Sequence, residues 1–199
     1  MGLIVEGLAD IQVCEYLVKQ FAPHITLEKS ISMINKPKLI ANCGESASLL
    51  LEQGCDRVVI LWDLYPPWGE KDAKPCRKED RDAIIESLKE SLNPKDQKKV
   101  FLVCIENMLE AWLLYDENAL KSVLSRPTRP IKKLTLDKHP ERIPDPKAYL
   151  IALYSQHGKG RYTDYIDAIK IVRLLDLSRL RKCETFVRFA LKVADIKLS

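Results

Sequence analysis

The stretch GLIVEG at residues 2–7 is a short apolar run that ends on the carboxylate of Glu6. A second apolar run, VVILWD at residues 58–63, ends on Asp63. Unbroken runs of this kind are typical of strands buried on both faces of a parallel sheet. The carboxyl ends of neighbouring parallel strands face one crevice, so we expect the two acids to share a divalent cation there. Capping of the following helix is the alternative interpretation of Glu6, because acids also favour helix N-termini.

Strands alternate with helices through the first part of the chain. Helical periodicity and strand patterns give the following predicted order: helix 8–21, strand 25–34, helix 37–53, strand 58–63, helix 79–92 and strand 100–105. Right-handed crossovers place the helices on both faces of a parallel sheet. We therefore expect an α/β, Rossmann-like fold with about four parallel strands and a C-terminal helical appendage.

Two parts of the chain differ in charge. Residues 1–120 carry 14 Lys and Arg against 20 Asp and Glu, whereas residues 121–199 carry 18 against 8. We predict an α/β catalytic domain at 1–125, and a proline-rich connector with a basic helical part at 126–199 that packs on it. An acidic site for cations beside a basic surface for polyanions suits an enzyme that acts on nucleic acid. A solvated basic surface is the alternative.

The composition is ordinary for a folded protein, with 30% charged and 46% hydrophobic residues among 199. No apolar run approaches the roughly 20 residues of a membrane span, and the chain starts within a predicted strand. We therefore expect no signal peptide, no membrane contact and a cytoplasmic location. Six singly spaced cysteines and three histidines without metal-ligand spacing predict free thiols and no structural zinc.

More acids follow the predicted strand ends. Glu106 and Glu110 are four residues apart after the fourth strand, so they share a face beside the crevice if residues 106–114 are helical. Asp10 lies four residues after Glu6 and is a candidate outer or second ligand. It is equally interpreted as a first-turn acid that favours the helix dipole.

Four short motifs, in this order and spacing, resemble the domain of unknown function 4276 family. They are Val5-Glu6-Gly7, Asp63-Leu64-Tyr65 followed by Pro67 and Gly69, Glu110-Ala111-Trp112-Leu113-Leu114, and a closing segment at 169–186. That family is related to the Toprim domain of topoisomerases, primases and overcoming-lysogenization-defect (OLD) nucleases. In Toprim domains a Glu after the first strand and an Asp-x-Asp after the third bind magnesium. Glu6 and Asp63 match this pattern, whereas Tyr65 stands where the second Asp is expected.

The resemblance implies a Toprim-like nuclease that uses Mg²⁺ or Mn²⁺ to hydrolyse phosphodiesters. The predicted metal ligands are Glu6, Asp63, Glu110, Asp10 and Glu106. The predicted catalytic residues are Glu6, Asp63, Glu110 and Lys159. Lys159 is chosen because its flanking glycines let the backbone approach a phosphate, although an ordinary interhelical turn is the alternative.

Nucleic acid, DNA in the first place, is the predicted partner. The predicted contacts are Arg77, Lys78, Arg81, Lys159 and Arg161, with Tyr65 and Trp68 as candidates for base stacking. The chain has no Walker motif, so any ATP use must come from a partner. Many members of the family that the chain resembles are encoded beside ATPases in prokaryotic defence neighbourhoods. The resemblance therefore implies an ATPase partner and an anti-phage role. A homo-oligomer is also possible as a partner state.

Two other functions stay open from the sequence. A non-catalytic subunit with a degenerate Toprim fold, binding nucleic acid or the ATPase, is favoured by Tyr65. Nucleotidyl transfer of the primase kind is less favoured, because so short a chain shows no additional nucleotide-binding module.

Overall fold

The structure, a computed structural model, describes residues 1–67, 74–137 and 139–194. Within these ranges four strands form one sheet: β1 (Gly2–Val5), β2 (Lys29–Ser32), β3 (Val58–Asp63) and β4 (Val100–Ile105). All neighbours pair in parallel, in the order β2-β1-β3-β4. The predicted α/β, Rossmann-like class is confirmed.

Helices surround this sheet. The α-helices are α1 (Leu8–Phe21), α2 (Lys36–Glu52), α3 (Arg77–Ser91), α4 (Pro94–Gln97), α5 (Glu110–Leu113), α6 (Glu117–Leu124), α7 (Pro146–Gln156), α8 (Ile169–Val172), α9 (Leu177–Leu180) and α10 (Glu184–Ala194). A 3₁₀ turn at Pro140–Arg142 and a π-helical turn at Asp164–Ala168 complete the described elements.

The strands differ in burial as their positions require. β3 lies in the middle of the sheet, and its residues from Val58 to Trp62 are buried. β2 lies at an edge and is exposed or half-buried throughout. It spans only Lys29–Ser32 of the predicted 25–34, although the amides of Glu28 and Met33 beside it still donate to the carbonyl oxygens of Met1 and Val5 at 2.9 Å.

Each face of the sheet has its own hydrophobic core. On one face Ile4, Ile60 and Trp62 pack with residues of α2 and α3. On the other, Leu3 and Leu61 pack with α1 and with the helices of the C-terminal part. Both parts of the chain therefore contribute to the core on this second face.

Two glycines shape the layer that α2 and α3 form on one face of the sheet. Gly44 lets α2 approach α3 closely, because a Cβ there would lie 2.0 Å from the carbonyl oxygen of Ser87. Gly54 ends α2 in the left-handed region, with φ +95°, as its position in the sequence predicts. The packing of α2 on α3 covers one face of the sheet.

The C-terminal helix α10 covers the other face beside β4. Trp112 of α5 packs edge-on against Phe186 at a centroid distance of 5.5 Å, and its Nε1 donates to Thr185 Oγ1 at 2.9 Å. Arg57 Nη1 donates to the carbonyl oxygens of Lys192 and Val193, both at 3.0 Å, at the end of α10. These contacts fix the appendage on the sheet.

All six cysteines lie in the described residues and are free thiols, five of them buried. This confirms the prediction of free thiols. In the same residues, no helix combines the length and apolarity that crossing a membrane requires.

Candidate functional site

A cleft of about 460 Å³ opens at the carboxyl edge of the sheet, between the ends of β1 and β3. Its described lining brings together five carboxylates and one cationic side chain: Glu6, Asp10, Asp63, Glu110, Asp164 and Lys147. Ligands of open α/β sheets bind at the carboxyl ends of the strands, where the strand order reverses. In the order β2-β1-β3-β4 this point lies between β1 and β3. The position and the charge together mark this acidic cleft as the candidate site.

Glu6 and Asp63 are held by backbone amides. The amide nitrogen of Asp63 donates to Glu6 Oε1 at 3.0 Å, and the amide of Leu109 donates to Asp63 Oδ1 at 2.9 Å. Glu6 thus joins the end of β1 to the end of β3, and Asp63 joins β3 to the segment after β4. Within the described residues, the second oxygen of each carboxylate has no protein hydrogen bond, so it is available to a ligand.

Helix capping falls to Asp10 instead of Glu6. Asp10 Oδ2 accepts the amide of Gly7 at 2.7 Å at the start of α1. Asp10 nevertheless lines the cleft as well. The two interpretations of Asp10 are therefore compatible, because one oxygen serves the helix end while the residue faces the cleft.

Glu110 shares a cation with Asp164. Lys147 Nζ lies 3.9 Å from Glu110 Oε1 and 2.5 Å from Asp164 Oδ2. Lys147 lies in the first turn of α7, after the cap Asp145 and the helix-starting Pro146. Glu110 is buried, so this lysine supplies part of the compensation that a buried charge needs.

Burial raises the pKa values of the cleft acids. It brings the pKa of Glu6 to about 7, against the opposing effect of Lys36, and that of Asp10 to about 6. Burial also raises the pKa of Glu110 to about 7, despite Lys147. The pKa of Asp63 is raised well above its ordinary value by burial, then by the charges of Asp10 and Glu6. Without a bound cation these buried acids therefore favour their neutral forms, and a cation that binds them must displace protons.

The Lys147–Asp164 pair behaves in the opposite way. Burial favours the neutral form of Asp164, but the hydrogen bond from Lys147 outweighs it and lowers the pKa of that carboxyl. Burial also acts to lower the pKa of Lys147, but Asp164 and Glu110 outweigh it and raise the pKa. Both groups stay ionised at neutral pH.

Lys36 is a second cation near Glu6, at the start of α2. It is buried, and its Nζ donates to the carbonyl oxygens of Leu64 at 2.8 Å and Pro66 at 2.9 Å and to Asp80 Oδ2 at 3.2 Å. Asp80 Oδ2 also accepts Trp62 Nε1 at 3.1 Å. This network fixes the chain that leaves β3 directly after Asp63.

The donor chemistry of the cleft fits a hard divalent cation. Carboxylate oxygens are the ligands that Mg²⁺ and Mn²⁺ prefer, and the cleft acids lack balancing charge. In the ranges that the structure describes, no three His, Cys, Asp or Glu side chains are close enough to enclose an ion. Residues that would hold the cation are Glu6, Asp63 and Glu110, with Asp10 beside them.

A family model described as a domain of unknown function, DUF4276, matches residues 5–194. The chain belongs to the DUF4276 family. The match includes every acid of the cleft, from Glu6 to Asp164. Comparison with curated proteins and with solved structures finds no match.

Glu106 of this DUF4276 chain does not join the cleft. Residues 106–109 are not helical, Asn107 has φ +60°, and α5 begins only at Glu110. The prediction that Glu106 and Glu110 share a helix face is therefore wrong. Glu106 instead accepts a hydrogen bond from Arg77 Nη2 and lines a different pocket.

The predicted cationic residues also lie outside the cleft lining. Arg77 and Arg81 face a groove beside β4, and Lys78 is exposed on α3. Lys159 and Arg161 follow α7, where Gly158 and Gly160 have φ +66° and +81° and the amide of Lys159 donates to the carbonyl oxygen of Tyr154. The glycines thus form the interhelical turn, which was the alternative interpretation of this segment.

Of the two aromatic candidates, Tyr65 lies in the described residues. Tyr65 is 38% exposed and is absent from the cleft lining, which continues with Pro66. Trp68 lies outside the described residues.

The sequence did not predict three residues of the site and its surroundings, Lys147, Asp164 and Lys36. The Asp145-Pro146 pair signals a helix start at Lys147, but no sequence pattern indicates that this helix end faces Glu110.

Proposed function

We propose that this DUF4276 protein is a Toprim-type nuclease that hydrolyses nucleic-acid phosphodiesters with Mg²⁺ or Mn²⁺. The single observation that supports this most is the meeting of Glu6, Asp63 and Glu110 in one cleft at the strand ends. Glu6 and Asp63 also match the magnesium-binding pattern of Toprim domains, which supports metal-dependent phosphodiester chemistry. Work in the cytoplasm with an ATPase partner, in anti-phage defence, is part of the same proposal.

A bound divalent cation would supply Lewis-acid chemistry, activating a water and offsetting charge that develops on the phosphate. The protein's own part begins with Glu6 and Asp63, whose backbone contacts hold one oxygen each and leave the other to bind. Preorganised groups of this kind lower the reorganisation cost of the transition state.

Glu110 is the third proposed ligand. Before a cation binds, burial raises the pKa of Glu110 to about 7, so cation binding near neutral pH would displace a proton from this carboxyl. Lys147 Nζ, 3.9 Å from Glu110 Oε1, is the proposed partner for a phosphate oxygen.

Lys147 is better placed than Lys159 to neutralise the phosphate, because it lines the cleft. Lys159 and Arg161 remain proposed contacts for a more distant part of the nucleic acid, through phosphates alone. Arg77 and Arg81 line a separate groove beside β4 instead of this cleft, and Lys78 is exposed on α3.

The test is incubation of the purified protein with plasmid, linear duplex and single-stranded DNA and with RNA, with Mg²⁺, with Mn²⁺ and with EDTA. We expect metal-dependent cleavage of at least one substrate, absent with EDTA and in Asp63→Asn. Lack of cleavage in every combination, including with the ATPase partner encoded beside the gene if there is one, would contradict the proposal.

A non-catalytic subunit is the second candidate function, because Tyr65 stands where the Toprim pattern has its second acid and does not line the cleft. Such a subunit would bind nucleic acid or the ATPase with affinity independent of Glu110. Equal binding by wild type and Glu110→Gln without any cleavage would favour this candidate.

A further inference from the structure

A basic groove runs along the free edge of β4, away from the acidic cleft. Its volume is about 470 Å³. β4 pairs only with β3 among the described residues, so its other edge has no partner strand. An unpaired edge presents backbone N–H and C=O groups that can pair with another chain.

The groove reaches both faces of that strand. Phe101 packs with the core beneath α10, whereas Leu102 and Cys104 pack with the core beneath α3. All three side chains line the groove. The cavity therefore surrounds the strand's edge and is not a pocket within one layer.

Burial is lowest in the first half of the strand. Val100, Phe101 and Leu102 are half-buried, although each is a large apolar residue, whereas the second half of β4 is buried. Ile85 and Leu88 of α3 extend this apolar floor. A strand laid beside β4 here would cover apolar side chains as well as backbone groups.

Both walls of the groove are basic. Arg77 and Arg81 are one turn apart on α3, and Arg188 and Lys192 are one turn apart on α10. Among the described residues, no Asp or Glu lines the groove. Of these four cationic side chains, Arg77 is the one that the described residues pair with an acid, Glu106. The potential in the groove is therefore positive on both sides of an apolar floor.

We propose that this groove binds an extended acidic segment of a partner protein, which adds to β4 as a fifth strand. Alternation suits the site, because successive side chains of a strand point to opposite faces. Apolar side chains on the α3 face would cover Val100 and Leu102, and acidic ones on the α10 face would meet Arg188 and Lys192. The half-apolar floor and the edge strand favour a peptide over a nucleic-acid backbone, which offers no strand to pair.

The probe is a short, end-capped fluorescent peptide that alternates Glu with Val, followed by anisotropy. We expect saturable binding, and binding at least about tenfold weaker to Arg188→Glu/Lys192→Glu. The matched control is Lys89→Glu/Lys95→Glu, which changes the net charge equally at exposed positions outside the groove and should bind as wild type does.

A second peptide separates strand pairing from charge alone. It has the same sequence with an N-methyl group on every residue, which removes the backbone donors of both edges, and we expect its binding to be lost. Equal binding of the methylated peptide overturns the proposal. So does absence of binding by the unmodified peptide, which would leave the basic side chains as protection of a free edge. Displacement of the peptide by a single-stranded oligonucleotide at lower concentration would assign the groove to nucleic acid.

Discussion

The amide nitrogen of Asp63 donates to Glu6 Oε1 at 3.0 Å, so the acid that ends β1 is fixed by the backbone of the acid that ends β3. Each acid keeps one oxygen for the cleft, and burial raises the pKa of both. Deprotonation of these buried acids is therefore costly unless a cation takes the place of the protons. A divalent cation is the natural counter-charge for such a site.

Glu6→Gln and Asp63→Asn are expected to abolish metal-dependent cleavage with the fold intact. An amide oxygen can still accept the backbone N–H that each carboxylate accepts now, while the negative charge is lost. Cleavage at saturating Mg²⁺ and circular dichroism are the measurements. Glu45→Gln, an exposed change on α2, is the control. Wild-type cleavage by either cleft variant would show that the ligands are assigned wrongly.

Stability without metal should fall as the pH rises from about 4.5 to about 7, the window over which burial raises the pKa of Glu110. In this window the folded state binds more protons than the unfolded state, so deprotonation disfavours folding. Glu110→Gln should remove up to roughly 3 kcal/mol of this dependence. Urea unfolding at several pH values in EDTA measures it. An unchanged pH dependence in the variant would mean that Glu110 titrates normally.

Lys147→Met should lower kcat by about 10²-fold, since it removes the cation beside the developing phosphate charge. Divalent-cation binding should be retained or strengthened, because Glu110 and Asp164 then lack their shared counter-charge. Lys170→Met is the matched control, because Lys170 pairs with Asp167 outside the cleft lining. Loss of cation affinity in Lys147→Met would instead indicate a purely structural lysine.

Lys36→Met should destabilise the fold by about 3 to 5 kcal/mol, because Asp80 would stay buried without its cation. The double variant Lys36→Met/Asp80→Asn should recover part of this loss. Chemical denaturation of both, with the exposed Lys38→Met as control, checks the expectation. If the single and double variants are equally unstable, the pair does not act as a unit.

Nucleic-acid affinity should depend steeply on salt, with a log–log slope of about −0.9 per phosphate neutralised. Reversing the charges of Lys159 and Arg161 should flatten this slope without changing cation binding in the acidic cleft, since neither residue lines it. The measurement is anisotropy across a salt series. An unaltered slope would leave this turn as an ordinary solvated surface.

The positions of Glu6 and Asp63 were predictable because each acid directly follows an apolar run, and parallel strands deliver their ends to one edge. The α/β class followed from the same alternation. The helix α1 was also predicted at its observed bounds, from periodicity and the following Pro23.

Other parts depend on tertiary contacts that no local pattern contains. Lys147 meets Glu110 only because α7 packs on α5. Lys36 is buried, against the usual exposure of lysine, because three acceptors converge on its Nζ. The prediction that Glu106 lies beside Glu110 was wrong because a four-residue spacing implies a shared face only within a helix. Asn107, with φ +60°, lies between them outside any helix.

Titration of Mn²⁺ into the protein, with free Mn²⁺ followed by electron paramagnetic resonance, tests the acidic cleft most directly. At pH 8 in wild type we expect a saturable site that is lost in Asp63→Asn and strongly weakened at pH 5, where the cleft acids are protonated. Equal Mn²⁺ binding by wild type and Asp63→Asn would contradict the account.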